Sequence, residues 1–157
     1  MALNGLPRRV TVLGATGSVG CATLDLIAAA PPGSFEVVAL VANGNAAALA
    51  AAARRVRARL AVVADTAALP ALRAALDGSG IEVDAGPEAV ITAASIPVDW
   101  TMAAIVGAAG LPATMTAAAG GGIVSIANKE CLVCAGTLLR AVAEAAGTTL
   151  LPAHSEH

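Results

Sequence analysis

The 157-residue sequence has no tyrosine, one phenylalanine (Phe35) and one tryptophan (Trp100). Proteins that hold single-stranded nucleic acid stack bases on aromatic rings along a basic groove. With two rings, a formal net charge of −2 and no basic cluster beyond Arg54, Arg55, Arg57 and Arg59, both parts are missing, and no nucleic-acid partner is expected. Charge is scarce as well, at 13% of residues, and none falls in the 29 residues from Trp100 to Asn128. That length could cross a bilayer, but the stretch holds five glycines, Pro112 and scattered Thr and Ser, and alanine is a weak membrane residue. It reads as buried core, because parallel strands covered on both faces are also continuously apolar, and no membrane association is expected. Cysteine is limited to three, an odd number. The N-terminus offers no secretory pattern, since only four residues separate Arg9 from the break at Gly14. Reduced thiols in a cytoplasmic protein are the expectation.

What is present is small and apolar. Hydrophobic residues make up 57% of the chain, mostly alanine and valine, enough for one domain that buries about two thirds of its unfolded surface. Short β-rich runs at 9–14, 35–41, 60–64, 81–86, 99–106, 122–127 and 148–152 alternate with helical stretches near 18–30, 46–58, 67–77, 87–94, 111–119 and 130–146. The alternation predicts an α/β fold, doubly wound, with a mostly parallel sheet and helices on both faces. Punctuation agrees: Pro31-Pro32-Gly33 stops the first helix, Asn45 is placed to cap the second, Pro87 opens the fourth and Gly147 closes the last. No linker or repeat interrupts the pattern.

The first strand runs into "GATGSVG", with Gly14, Gly17 and Gly20 three residues apart, and then into an apolar helix. Glycines in such a turn let a phosphate approach the backbone N–H groups of a helix N-terminus, where the dipole favours negative charge. The spacing is G-x-x-G-x-x-G, not the commoner G-x-G-x-x-G. At the end of the second strand an NAD site usually carries an acid for the ribose 2′-hydroxyl. Here "LVANGN" has nothing acidic from Val37 to Asn45, which favours NADP.

Among nine basic residues there is a single lysine, Lys129. It lies in "ANKE", directly after the strand 122–127, while "AHSEH" directly follows the strand 148–152. Ligands of open α/β sheets bind outside the carboxyl ends of the strands, so the glycine loop and these two polar clusters should face one crevice.

"GATGSVGCATLDLI" at 14–27, "VVALVANGN" at 37–45, "AAIVGAAGL" at 103–111, "ANKE" at 127–130 with "LVCAG" after it, and "LLP" then "SEH" at 150–157 resemble the N-terminal part of the 1-deoxy-D-xylulose 5-phosphate reductoisomerases. The resemblance implies a Rossmann-type domain over 1–157, with the catalytic and C-terminal helical domains lying downstream. It implies NADPH held by Thr16, Gly17, Ser18 and Val19 at the diphosphate, with Gly44 and Asn45 near the adenosine end and Asn128 and Glu130 also in the cofactor site. Lys129 and Ser155 would contact the sugar-phosphate substrate, and Glu156 would bind substrate and a divalent metal, Mg²⁺ or Mn²⁺. The implied reaction is reductive isomerisation to 2-C-methyl-D-erythritol 4-phosphate in non-mevalonate isoprenoid biosynthesis, by a homodimer. These 157 positions alone are expected to be catalytically incomplete.

The sequence departs from the family at His154, where an aspartate is usual before "SEH". An imidazole suits Zn or Co better than Mg²⁺ or Mn²⁺, so His154 is a metal ligand of altered type or no ligand. Cys131 replaces the usual serine after "ANKE", and "AAAGGGI" at 117–123 lacks basic residues often found there. Three other readings remain. Cys131-x-x-Cys134 with His154-x-x-His157 is a zinc pattern of poor spacing, and the two cysteines fit better as small apolar residues on one helix face. A non-catalytic NADP-binding domain needs only the glycine loop. Another dehydrogenase with a "GATG" loop, such as a semialdehyde dehydrogenase, would not require "ANKE" or "SEH".

Overall fold

The computed structural model describes residues 5–153, so His154, Ser155, Glu156 and His157, on which the metal and part of the substrate assignment fall, lie outside the described residues. The strands are β1 (Arg8–Leu13), β2 (Phe35–Ala42), β3 (Leu60–Val63), β4 (Glu82–Ala85), β5 (Trp100–Ala103), β6 (Ile123–Ile126) and β7 (Thr149–Pro152). The helices are α1 (Ser18–Ala29), α2 (Ala46–Val56), α3 (Leu69–Ala75), α4 (Pro87–Ser95), α5 (Leu111–Ala118) and α6 (Lys129–Ala146). Each strand and helix predicted from the sequence is found, within a few residues at its ends.

All strand pairs are parallel, in the order β4-β3-β2-β1-β5-β6-β7. The first four strands build outward from β1, then α4 carries the chain back so that β5 pairs with the other edge of β1. The order therefore reverses between β1 and β5, which opens a crevice at their carboxyl ends. Leu24, Ile27, Leu49, Ala53 and Leu72 from α1, α2 and α3 pack on one face of the sheet. Val90, Ala93, Ala113, Ala117, Leu139 and Ala143 from α4, α5 and α6 pack on the other. Both faces are covered, which is why β2 reads as an unbroken apolar run from Val37 to Ala42.

A bulge in β2 re-aims its side chains. Val10 pairs with Val37 but Thr11 pairs with Ala39, so Val38 is the extra residue. Val37 and Leu40 consequently reach the same core, three positions apart instead of two. The two aromatic rings meet at the amino ends of β2 and β5, with Phe35 and Trp100 centroids 6.2 Å apart and the Trp100 indole N–H donating to Ser125 Oγ at 3.0 Å. They sit at the opposite end of the sheet from the crevice.

The caps bear out the punctuation. Asn45 Oδ1 accepts from the Ala48 N–H at 3.1 Å, and Gly147 closes α6 in the left-handed conformation at φ 71°. The fifth strand ends well before its predicted bound. The strand expected over 99–106 ends at Ala103, because the residues that follow leave the ladder for hydrogen bonds with a side chain from the start of α6.

Candidate dinucleotide site

The three glycines of the β1–α1 loop have three different reasons to be glycine. Gly14 has φ 87°, and a Cβ there would sit 2.5 Å from the Ala104 carbonyl oxygen, so the loop lies directly against the backbone leaving β5. A Cβ on Gly20 would run into the Gly14 carbonyl; this glycine lets the first turn of α1 rest on the loop. Gly17 is exposed, and its nearest obstacle would be Gly14 O at 3.7 Å. The outer two glycines are required by packing, and the middle one borders open space.

That space receives the N-terminus of α1, which has no side-chain cap at Gly17 and no acidic residue in its first turn. The first N–H groups of a helix have no partner within it, and with the positive dipole end they suit an anion.

A cleft of about 520 Å³ opens beside the loop. Gly14, Thr16 and Gly17 form one wall, Asn43 and Ala64 lie at the ends of β2 and β3, and Val90, Ile91, Ile105 and Pro112 supply an apolar wall from α4, the β5 exit and α5. This is the size and character of a small-molecule pocket, a mostly apolar lining with few polar groups.

Asn128 organises the far side. It is 5% exposed and acts through both ends of its carboxamide: Oδ1 accepts from the Glu130 N–H at 2.9 Å, capping α6, while Nδ2 donates to the carbonyls of Ile105 at 2.5 Å and Gly107 at 2.7 Å. Gly110 must be glycine beside it, since a Cβ there would lie 2.8 Å from Nδ2. Both amide hydrogens of Asn128 thus go to the loop that carries Ile105 into the cleft wall.

Of the residues expected at the diphosphate, Thr16 and Gly17 line the cleft, Ser18 is exposed as the first residue of α1, and Val19 is half-buried against the core. Gly44 and Asn45 follow cleft-lining Asn43, with the Asn45 side chain turned to its helix cap. Lys129 and Glu130 are exposed at the start of α6. The single crevice expected for all three clusters is seen only in part: the glycine loop lines the cleft, and Asn128 reaches it through Ile105.

Sequence reasoning missed the apolar wall and one acid. The apolar wall comes from three separate segments, each reading as ordinary core. The acid is Asp65, at the end of β3, whose Oδ2 lies 3.5 Å from where a Gly44 Cβ would be. The absence of acid from 37 to 45 is true of the sequence, yet the neighbouring strand brings a carboxylate to that loop.

The two cysteines of "CLVC" are not both buried as small apolar residues, contrary to the sequence reading. Cys131 is 1% exposed with its Sγ 3.7 Å from Thr114 Oγ1, whereas Cys134 is exposed one residue before a kink at Ala135. Among the described residues no group of three or more His, Cys, Asp or Glu could hold a metal ion. Burial pushes the Cys131 thiol above its ordinary value, partly offset by the Thr114 hydrogen bond. A thiol-reactive dye should therefore label Cys21 and Cys134 rapidly in the native chain and Cys131 only on denaturation, which mass spectrometry of the labelled peptides would read out.

A sequence profile of the 1-deoxy-D-xylulose 5-phosphate reductoisomerases matches residues 10–136. The chain belongs to this family. It is 59% identical over 150 residues to the reductoisomerase of Rhodospirillum centenum, covering 96% of this chain and 37% of that one. The reductoisomerase of Zymomonas mobilis, solved in complex with NADPH, superposes with a TM-score of 0.90 at 51% identity, over 93% of this chain and 38% of that one. A reductoisomerase solved with NADPH, fosmidomycin and magnesium superposes with a TM-score of 0.84 at 35% identity, over 92% of this chain and 36% of that one. The chain thus spans little more than a third of the length of the family members it matches, and that third is the doubly wound α/β part.

Proposed function

We propose that the chain is the NADPH-binding domain of a 1-deoxy-D-xylulose 5-phosphate reductoisomerase. The observation that carries this reading is the uncapped, acid-free N-terminus of α1 opening on the cleft through a glycine with free space beside it. The residues fit the group: backbone N–H groups at Ser18 and Val19 hold the diphosphate, Gly17, whose own N–H donates to the Gly14 carbonyl, leaves room for its approach, Thr16 adds its hydroxyl, and Gly44 and Asn45 border the adenosine. When bound, NADPH supplies hydride to the carbonyl that rearrangement of the sugar phosphate creates. This chain's part is to orient it: the apolar wall of Val90, Ile91, Ile105 and Pro112 keeps water from the reacting face, and Asn128 fixes the loop that bears Ile105. Lys129, alone in carrying an ammonium and exposed at the carboxyl end of the sheet, is assigned to the sugar phosphate, with Ser155. Glu156 and His154 are assigned to a divalent metal, Mg²⁺ or Mn²⁺. The reading extends to a homodimer in the cytoplasm. Among the described residues no helix is long and apolar enough to cross a membrane.

Ser18→Asp separates this reading from a purely structural glycine turn. An acid in the first turn is favourable to a helix by about 0.3–1 kcal/mol, so the melting temperature should hold or rise. The same carboxylate would oppose a diphosphate, and NADPH affinity by fluorescence titration should fall at least about tenfold, the effect of roughly 1.4 kcal/mol. Unchanged NADPH affinity in Ser18→Asp, or no binding by the parent chain, would remove the proposal.

A further inference from the structure

We infer that Arg54, Arg57 and Arg59 form a second anion site, at the opposite end of the sheet from the dinucleotide cleft, that takes a phosphate-bearing small molecule. The inference stands apart from the NADPH-binding reading, because the two sites share no lining residue.

A cavity of about 430 Å³ opens there, lined by Arg54, Arg57 and Arg59 from the end of α2 and the residues after it, and by Ser79, Gly80 and Ile81 from the turn before β4. Arg59 immediately precedes β3 and Ile81 immediately precedes β4, so the cavity sits at the amino ends of those strands. Each arginine is held differently. Arg54 donates from Nε and Nη2 to the Ala75 carbonyl, at 3.3 and 3.0 Å, and from Nη2 to the Asp77 carbonyl at 3.5 Å. These acceptors are neutral, so the guanidinium is fixed in place with its charge unspent and Nη1 still to donate. Arg59 meets Glu36 Oε2 at 2.9 Å through Nε, which leaves both its Nη groups. Arg57 forms no ion pair among the described residues, and neither Asp77 nor Glu82, its acidic neighbours across the turn, pairs with any of the three.

Arg57 also has an uncommon backbone. With φ 54° and ψ 49° it caps the end of α2, and among the described residues no other non-glycine residue has positive φ. Glycine usually takes that position, where a Cβ is strained, and strain kept in the chain points to a use for the side chain. The facing turn is shaped by Ser79, whose Oγ donates to the Leu76 carbonyl at 2.6 Å and accepts from the Ile81 N–H at 3.1 Å. Between them the Gly80 N–H lines the cavity and has no acceptor among the described residues. Three guanidiniums against the single carboxylate of Glu36 leave the cavity positive. Guanidiniums and a backbone N–H are the donors that phosphate oxygens take.

Inorganic phosphate and pyrophosphate are the probes, titrated at constant ionic strength into the isotopically labelled chain with amide shifts followed by NMR. The Gly80 N–H reports this site and the Ser18 N–H the dinucleotide site. Saturating shifts at Gly80 are expected; tighter pyrophosphate would assign a diphosphate, and equal affinities a monophosphate. Arg57→Gly should weaken the Gly80 response at least about tenfold, the loss of one charge-assisted hydrogen bond. Its melting temperature should hold or rise, because glycine adopts the capping conformation without strain. Arg55→Gln removes an equal charge from the same helix end, but Arg55 pairs with Asp25 and does not line the cavity. It should change the affinity by less than about twofold, since exposed charges away from the ligand are screened. NADPH affinity should be the same in both variants and the parent. A Gly80 shift that is absent or does not saturate, or a response confined to Ser18, would overturn the inference. Equal losses in Arg55→Gln and Arg57→Gly would overturn it as well, by showing diffuse attraction and no site.

Discussion

Gly14→Ala is expected to lower stability by about 3–5 kcal/mol, and Gly17→Ala, three residues away in the same loop, by less than about 1 kcal/mol. At Gly14 two effects combine. Its φ of 87° is strained for any residue with a Cβ, at about 1–3 kcal/mol, and the added methyl would lie 2.5 Å from Ala104 O and 2.9 Å from Ile105 N. Neither neighbour is a side-chain tip that can swing away; both are backbone at the β5 exit, so the strand end itself must shift, at about 1–3 kcal/mol more. Gly17 has extended backbone, with φ −82° and ψ 175°, and only Gly14 O at 3.7 Å for a Cβ to meet. Each kcal/mol moves the melting temperature of a chain this size by about 2–4 °C, so Gly14→Ala should melt about 10 °C early. Gly17→Ala should melt near the parent yet bind NADPH more weakly, because its methyl enters the space proposed for the diphosphate. Differential scanning calorimetry with a nucleotide titration reads both. Equal melting temperatures for the two variants would refute the division between packing glycine and binding glycine.

Asn128→Ala is expected to cost about 2–4 kcal/mol and to weaken NADPH binding as well. Removing the carboxamide uncaps α6 and leaves the Ile105 and Gly107 carbonyls without their donor. Asn128→Asp is the sharper test because its shape is the same. The aspartate keeps an oxygen for the Glu130 N–H but turns the other oxygen against two carbonyl oxygens, so at neutral pH it should be at least as unstable as the alanine variant. Those carbonyls and the burial raise the folded-state pKa of the new carboxyl, and a raised pKa means stability lost as pH rises through it. Stability should accordingly return as the pH falls toward the ordinary aspartate value of about 4, where protonation restores a donor. Urea melts at several pH values would show this. An Asn128→Asp profile parallel to the parent's would mean that the donor to the β5 exit contributes nothing.

Much of the fold was legible because each element carried its own local signal. The strands of a sheet covered on both faces are rich in Val, Ile, Leu and Ala, and glycine, proline and asparagine mark their ends. Asn45, Pro87 and Gly147 do in the structure what their residue types predict. The glycine loop was legible for the same reason, since strand, turn and helix are consecutive in the chain.

What failed to show in the sequence required residues far apart to be brought together. The end of β5 is decided by Asn128, more than twenty residues later, which draws Ile105 and Gly107 out of the ladder. The Cys131 and Cys134 pair looks alike in sequence, but α5 covers only the first, at Thr114, and the other is left in solvent.

By itself, the sequence determined the alternation of strand and helix, the glycine turn and the family, because those depend on neighbours along the chain. Only the tertiary structure decided where β5 ends, which side chains wall the cleft, and that Asp65 from β3 stands beside Gly44 from β2. Parallel pairing aligns the carboxyl ends of strands whose residues lie twenty or more positions apart, and the electrostatics of the site follow from that alignment, not from chain order.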